Sequence, residues 1–162
     1  MLETDWQQYS IQIFGKMLPQ PRLTAWYGDK DAAYCYSGIH LTPKPFTPLI
    51  QQIKEDLESF TGFYFNSVLM NLYRNQNDSM GWHSDDEKEL GFEPKIASLS
   101  FGESRMFHLK HKTLKQLKIK VALNNGSLLV MQEKMQHNWL HAIPKSTQEK
   151  GPRINLTFRK IV

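Results

Sequence analysis

Cysteine is nearly absent: Cys35 stands alone in a chain of 162 residues. An internal disulfide is therefore excluded, as is a thiolate-rich zinc site, and the chain suits a reducing compartment. The opening "MLETDWQQYS" has no basic start and no apolar run, and no later window approaches the roughly 18 apolar residues of a membrane span. A soluble, untargeted protein is the expectation. Acids are missing from Ser104 to Gln132, a stretch that carries Arg105, Lys110, Lys112, Lys115, Lys118 and Lys120, whereas the whole chain is nearly balanced at 20 basic and 16 acidic residues. Such a stretch either neutralises phosphates or forms the lysine-lined solvent face of two strands, and charge alone does not choose. Internal repeats, low-complexity tracts and linkers are also lacking. Residues 1–162 therefore read as a single domain, long enough to bury a core without staples.

What is present divides into one helix and many short strands. In "FTPLIQQIKEDLESFTG", Thr47 is a candidate N-cap, Pro48 suits the first helical position and Gly62 can close the far end. Leu49, Ile50, Ile53, Leu57 and Phe60 recur at helical spacing, which predicts one face packed on a sheet. The segments "FYFNSVLMNLY", "KIASLSF", "RMFHLKH", "QLKIKVAL", "GSLLVM", "WLHAIP" and "RINLTFRKI" are rich in β-branched and aromatic residues and are separated by turn formers. The fold class is mainly β with a flanking helix, and this many short strands imply a sandwich or barrel.

Chemistry concentrates in "GWHSDDEKEL". In an extended segment, side chains two apart point the same way, roughly 7 Å apart at the backbone, so His83 and Asp85 can converge on one ion. His141, in the late strand "NWLHAIP", is the best placed third ligand. Two histidines and one carboxylate form a face that leaves open positions on non-haem Fe(II). In "RINLTFRK", Arg153, Asn155, Thr157 and Arg159 share one face and Ile154, Leu156 and Phe158 the other. That polar row either faces water or points into a barrel, where arginine forks onto a bound carboxylate. Burial separates the two possibilities.

Taken in order, "NLY", "HSDDE", "IASLSFG", "GSLLVM", "WLHAIP" and "PRINLTFRK" resemble the signature blocks of the AlkB family of Fe(II)- and 2-oxoglutarate-dependent dioxygenases, and the likeness is greatest to its duplex-acting DNA-repair members. The likeness runs from about residue 13 onward. It implies a double-stranded β-helix, or jelly roll, with iron held by His83, Asp85 and His141. It further implies that Arg153, Tyr73 and Asn155 hold the distal carboxylate of 2-oxoglutarate, with Asn71 and Arg159 near the proximal end. The implied reaction consumes O2 and 2-oxoglutarate, releases CO2, succinate and an aldehyde, and removes alkyl groups from base nitrogens such as those of 1-methyladenine and 3-methylcytosine.

A base inside a duplex cannot reach a buried iron and must be flipped out. By resemblance, residues 10–45 form a nucleotide-recognition lid and a finger loop. Tyr34, Tyr36 and Ser37 match the family's lid motif, and Asp86 and Glu87 lie where the flipped base is read. Within "IQIFGKMLPQPR", Phe14 and Gly15 match the finger that fills the gap left by the base, and Arg22 sits where the family has a basic residue near the DNA strand. Against that, "LKHKTLKQLKIK" is shorter than the loop with which duplex-acting members grip the opposite strand. Alkylated DNA is the expected partner, with duplex favoured and single strands also admitted. The alternatives are an RNA or protein demethylase of the same type and a non-catalytic nucleic-acid-binding jelly roll. A monomer is expected, located in the cytoplasm of a bacterium or the nucleus of a eukaryotic cell.

Overall fold

The computed structural model describes residues 4–13, 15–32, 34–36, 39–132 and 134–162, with backbone only for 12, 13, 34–36 and 39–41. The chain begins with a hairpin, β1 (Ser10–Ile13) and β2 (Lys16–Pro19), followed by β3 (Leu23–Gly28), a second hairpin of β4 (Tyr34–Tyr36) and β5 (Ile39–Leu41), and helix α1 (Pro48–Thr61). Then come β6 (Ser67–Tyr73), β7 (Met80–His83), β8 (Ile96–Gly102), β9 (Arg105–His111), β10 (Lys118–Leu123) and β11 (Leu128–Met131). A short helix α2 (Met135–Asn138) leads into β12 (Trp139–Ile143) and β13 (Arg153–Arg159).

Apart from the two hairpins, which form two-stranded sheets of their own, the strands are divided between two antiparallel sheets. The larger has the order β11-β8-β13-β6-β3 and the smaller β10-β9-β12-β7. From β6 onward the chain passes back and forth between them, which is the double-stranded β-helix that the resemblance implies. β13 lies in the middle of the larger sheet, paired along its length with β6 on one side and β8 on the other. Every residue of β13 is consequently buried.

Helix α1 forms where the sequence signals place it. Thr47 accepts a hydrogen bond from the Ile50 amide, Pro48 opens the helix, and Gly62 closes it in the left-handed region at φ 70° while donating to the Glu58 carbonyl. Its inward face is narrower than expected. Ile50 and Leu57 join Val68, Met70, Ile154, Leu156 and Phe158 in a cluster on the outside of the larger sheet, with Ile53 packed against it. Leu49 and Phe60 are exposed. Both lie at the rim of the apolar stripe, beyond the reach of the sheet.

The segment "LTAWYG", within the residues 10–45 that the resemblance gives to the lid and finger loop, is the edge strand β3, paired with β6 from Leu23↔Leu72 to Gly28↔Ser67. Alternation sends Tyr27 into the helix-side cluster and Trp26 to the opposite side, with Leu69, Leu90 and Ile161. One glycine bears directly on the site. Gly102 has φ +85°, and a Cβ there would stand 2.5 Å from the Pro152 carbonyl oxygen. This close approach lets β8 end against Arg153, its register partner.

Candidate active site

The inner face of the larger sheet is polar. Arg153, Asn155, Thr157 and Arg159 of β13 lie beside Asn71 of β6 and Ser98 and Ser100 of β8, and all are buried. Burial therefore decides between the two readings of the alternating strand in favour of a row facing the interior. Its hydrogen bonds are internal. Arg153 NH2 donates to Ser100 Oγ at 2.9 Å, Asn155 Nδ2 to Ser98 Oγ at 2.8 Å, and Thr157 Oγ1 to Asn155 Oδ1 at 2.9 Å.

Opposite this row, the smaller sheet brings His83 and His141 together as register partners on β7 and β12. Their ring centroids are 4.1 Å apart. Asp85 is not on the same strand as His83: β7 ends at His83, and the carboxylate comes from the turn that follows. Its backbone amide donates to Gln136 Oε1 at 2.9 Å, which fixes that turn to α2. One ligand atom from each of His83, Asp85 and His141 lies within 4.8 Å of the others. The Nδ1 of His83 is 2.9 Å from the Gly81 carbonyl and its Nε2 is 3.7 Å from Asp85 Oδ1. That is the usual arrangement of a metal-binding imidazole, one nitrogen on a backbone carbonyl and the other turned to the ion.

The electrostatics favour the ligating protonation states. Burial opposes ionisation of Asp85, but Arg159, then His141 and His83, outweigh it and hold the carboxyl at about 2. Arg159 NH2 donates to Asp85 Oδ2 at 2.9 Å. Burial, reinforced by His83, lowers His141 to about 4, so its imidazole is neutral at pH 7. A cation finds an ionised carboxylate and an uncharged imidazole already in place.

A second opening in the bonding points to an anion. Arg153 is 1% exposed and makes no ion pair among the described residues. Its Nε and NH1 have no acceptor. Tyr73 lies against it, with the ring centroid 5.1 Å from the guanidinium carbon. Burial pushes the Arg153 guanidinium below its ordinary value. A buried cation with two idle donors is costly unless a ligand supplies the acceptors. One pocket is lined by the metal triad, Asn71, Tyr73, Arg153, Asn155 and Arg159 together. A divalent ion at the triad and a dicarboxylate reaching toward Arg153 both fit these donors.

The remaining expected positions are placed as follows. Asp86 is exposed and accepts from Ser84 Oγ and Lys112 Nζ. One Glu87 carboxylate oxygen is buried without a donor. Arg22 is buried, not on a surface, and its Nε donates to Asn71 Oδ1 at 2.9 Å. Phe14 and Ser37 lie outside the described residues, and for Tyr34 and Tyr36 only the strand backbone is described. Gly15 follows Phe14 at φ 77° in the link between β1 and β2, a hairpin whose second strand is exposed throughout. Arg105, counted in the basic stretch, is buried and donates to the Asn75, Asp78 and Pro144 carbonyls. Gln136 went unnoticed in the sequence, since nothing in "EKMQHN" marks a residue that supports a ligand 51 positions away.

A family model described as the 2OG-Fe(II) oxygenase superfamily matches residues 1–159. The chain belongs to that superfamily. Among curated proteins it is 46% identical over 151 residues to the Bos taurus "Alpha-ketoglutarate-dependent dioxygenase alkB homolog 3", covering 88% of this chain and 52% of that protein. It is 40% identical over 159 residues to the Homo sapiens "DNA oxidative demethylase ALKBH2", covering 94% of this chain and 61% of that one. The chain thus spans about half the length of the first of these relatives. A solved structure of OsALKBH1 superposes with a TM-score of 0.67 at 17% identity, covering 94% of this chain and 84% of the other, and supports the jelly-roll fold. Superfamily membership and the donor set agree on Fe(II) and 2-oxoglutarate as the cofactor and cosubstrate.

Proposed function

We propose that this protein is an Fe(II)- and 2-oxoglutarate-dependent dioxygenase that oxidatively demethylates N-alkylated bases in DNA. The observation that carries the reading is the pairing, in one pocket, of a His-Asp-His triad with a buried arginine that has no counterion among the described residues. The first suits a metal with open positions, and the second suits a carboxylate-bearing cosubstrate. The relatives named as an alkB homolog dioxygenase and a DNA oxidative demethylase supply the substrate class.

Iron, 2-oxoglutarate and O2 together would supply the oxidising power that hydroxylates the N-methyl carbon, leaving an adduct that collapses to the free base and an aldehyde, with succinate and CO2 as coproducts. The chain's own part is placement. His83, Asp85 and His141 would hold the ion, and Arg159 fixes the Asp85 carboxylate. Arg153 and Tyr73 would anchor the distal carboxylate, Asn155 would support that end, and Asn71, oriented by Arg22, would stand near the proximal end. Phe107 stacks on the His141 ring with centroids 5.2 Å apart and shields it from water.

Glu87, with a buried carboxylate oxygen lacking a donor, suits the exocyclic amino edge of a flipped base, and Asp86 would stand beside it. Tyr34, Tyr36 and Ser37 would close over that base. The β1–β2 hairpin, whose second strand is exposed, suits a wedge that fills the vacated stack, and Phe14 and Gly15 of the sequence between its strands would supply it, which favours duplex DNA while admitting single strands. RNA of the same chemistry is the competing substrate. The protein would act as a monomer, in the cytoplasm of a bacterium or the nucleus of a eukaryotic cell.

Methyl loss from oligonucleotides carrying 1-methyladenine or 3-methylcytosine, quantified by mass spectrometry for duplex DNA, single-stranded DNA and RNA side by side, tests this reading. Turnover of DNA, fastest in duplex, is expected. A folded, iron-loaded protein that demethylates RNA alone, or no polynucleotide at all, contradicts it.

A further inference from the structure

β7 is the edge strand of the smaller sheet, and its pairing with β12 carries a bulge: His83 lies opposite His141 while Met80 lies opposite Ile143. Gly81 and Trp82 together face the single residue Ala142. The extra residue lets both Met80 and His83 point inward, to the core and to the pocket, and turns Trp82 out. Trp82 is 45% exposed, directly beside a metal-site histidine in sequence but on the other face of the sheet.

That outer face is cationic. Register places Lys110 opposite Lys118 and His108 opposite Lys120, with the small or apolar Leu140 and Ala142 alongside on β12. No carboxylate pairs with Lys110, Lys118 or Lys120 among the described residues; the nearby Asp86 is engaged by Ser84 and Lys112. Lys110 Nζ lies 4.3 Å from the Trp82 ring centroid, and the His108 ring is 6.5 Å from it. The lysine holds the indole on one side while leaving much of it open to solvent. Past His108 the face continues into a surface groove of about 420 Å³ lined in part by Ser104, Met106, Lys145 and Thr147.

The geometry points to a polynucleotide track on this outer face, in which Trp82 stacks an unpaired base and Lys110, Lys118 and Lys120 follow the phosphates of a single-stranded flank. The inference rests on the nucleic-acid reading above and extends it to a surface outside the pocket. A flat row of lysines alone would be a solvated face. An aromatic turned outward by a bulge, at the open edge of the sheet and next to that row, combines the stacking platform and the charge that single-strand binding requires. Trp82 and the pocket residue His83 are neighbours on the same edge strand, so the track and the pocket share one border of the sheet.

The test uses the full chain, fluorescence anisotropy and unmethylated oligothymidylate of about 20 nucleotides. Trp82→Ala is expected to weaken binding roughly tenfold while Trp82→Phe retains most of it. Lys118→Ala with Lys120→Ala is expected to flatten the slope of log K against log salt by about 0.7 per lysine. Turnover of a methylated oligonucleotide of about five nucleotides should be unchanged in the lysine variant, because so short a strand covers only part of a single-strand site. Wild-type affinity and salt slope in all variants would overturn the track. So would equal weakening of long and short oligonucleotides in the lysine variant, which would trace the effect to the pocket. Tight, Trp82-dependent binding by a protein that demethylates nothing would uphold the track and reject the catalytic reading instead.

Discussion

Arg159 and Asp85, 74 residues apart in the chain and both buried, meet through a hydrogen bond of 2.9 Å between NH2 and Oδ2. The contact joins the last strand of the larger sheet to the turn that completes the metal triad on the smaller one, so the two halves of the site are held in one arrangement. Breaking it by Arg159→Met leaves Asp85 charged and buried without its partner. A loss of about 3 to 5 kcal/mol is expected in the metal-free protein, measured by urea unfolding. Added divalent metal should restore part of it, because an ion replaces the missing charge.

Arg153→Met should behave in the opposite way. This guanidinium is buried without a carboxylate among the described residues, so replacing it with an apolar side chain of similar length should leave stability unchanged or raise it. Losing two charge-assisted hydrogen bonds to the cosubstrate should raise the KM for 2-oxoglutarate roughly 100-fold. Thermal melts and steady-state kinetics on one preparation check both halves, and a strongly destabilised variant would argue that Arg153 already has its counterion.

Gln136→Leu tests the support behind Asp85. The substitution leaves the Asp85 amide without its acceptor and frees the turn to move. Metal affinity should fall about 10- to 100-fold, the range found when outer partners of metal ligands are removed. Isothermal titration with Mn(II) reads this without any need for turnover.

Acid should destabilise the metal-free protein in a defined window. His141 is lowered to about 4 from 6.5, so the unfolded chain takes up a proton that the folded one refuses as pH falls from about 6.5 to about 4. Stability present above 6.5 is lost across that interval, by up to roughly 3 kcal/mol. Asp85, held at about 2, adds its own loss only at lower pH, as its carboxyl becomes protonated. Urea midpoints at pH 7.5, 6 and 5 should decline in the wild type and much less in His141→Phe.

Legibility in the sequence followed periodicity and local chemistry. The caps of α1 and the alternation of "RINLTFR" are rules of a few residues, and both led to the right element. Whether the polar side of that strand faced water or the interior was not a local property: it depended on the smaller sheet covering it. His141 stood out as a third ligand from its late strand, and the resemblance then paired it with His83, because the 57 residues between them carry no periodic sign of that pairing. Gln136 and the bulge at Gly81 and Trp82 were invisible for a related reason. Each acts through a partner on another strand or turn, and an outward tryptophan reads in sequence like any core aromatic.

The most direct measurement is anaerobic reconstitution with Fe(II), followed by O2, 2-oxoglutarate and a 1-methyladenine oligonucleotide, with succinate and the demethylated base counted together in the wild type and in His83→Ala. Equal amounts of the two products, requiring both additions and absent from the variant, are expected. Demethylation that proceeds without 2-oxoglutarate, or that survives the loss of His83, would contradict the assignment of the pocket.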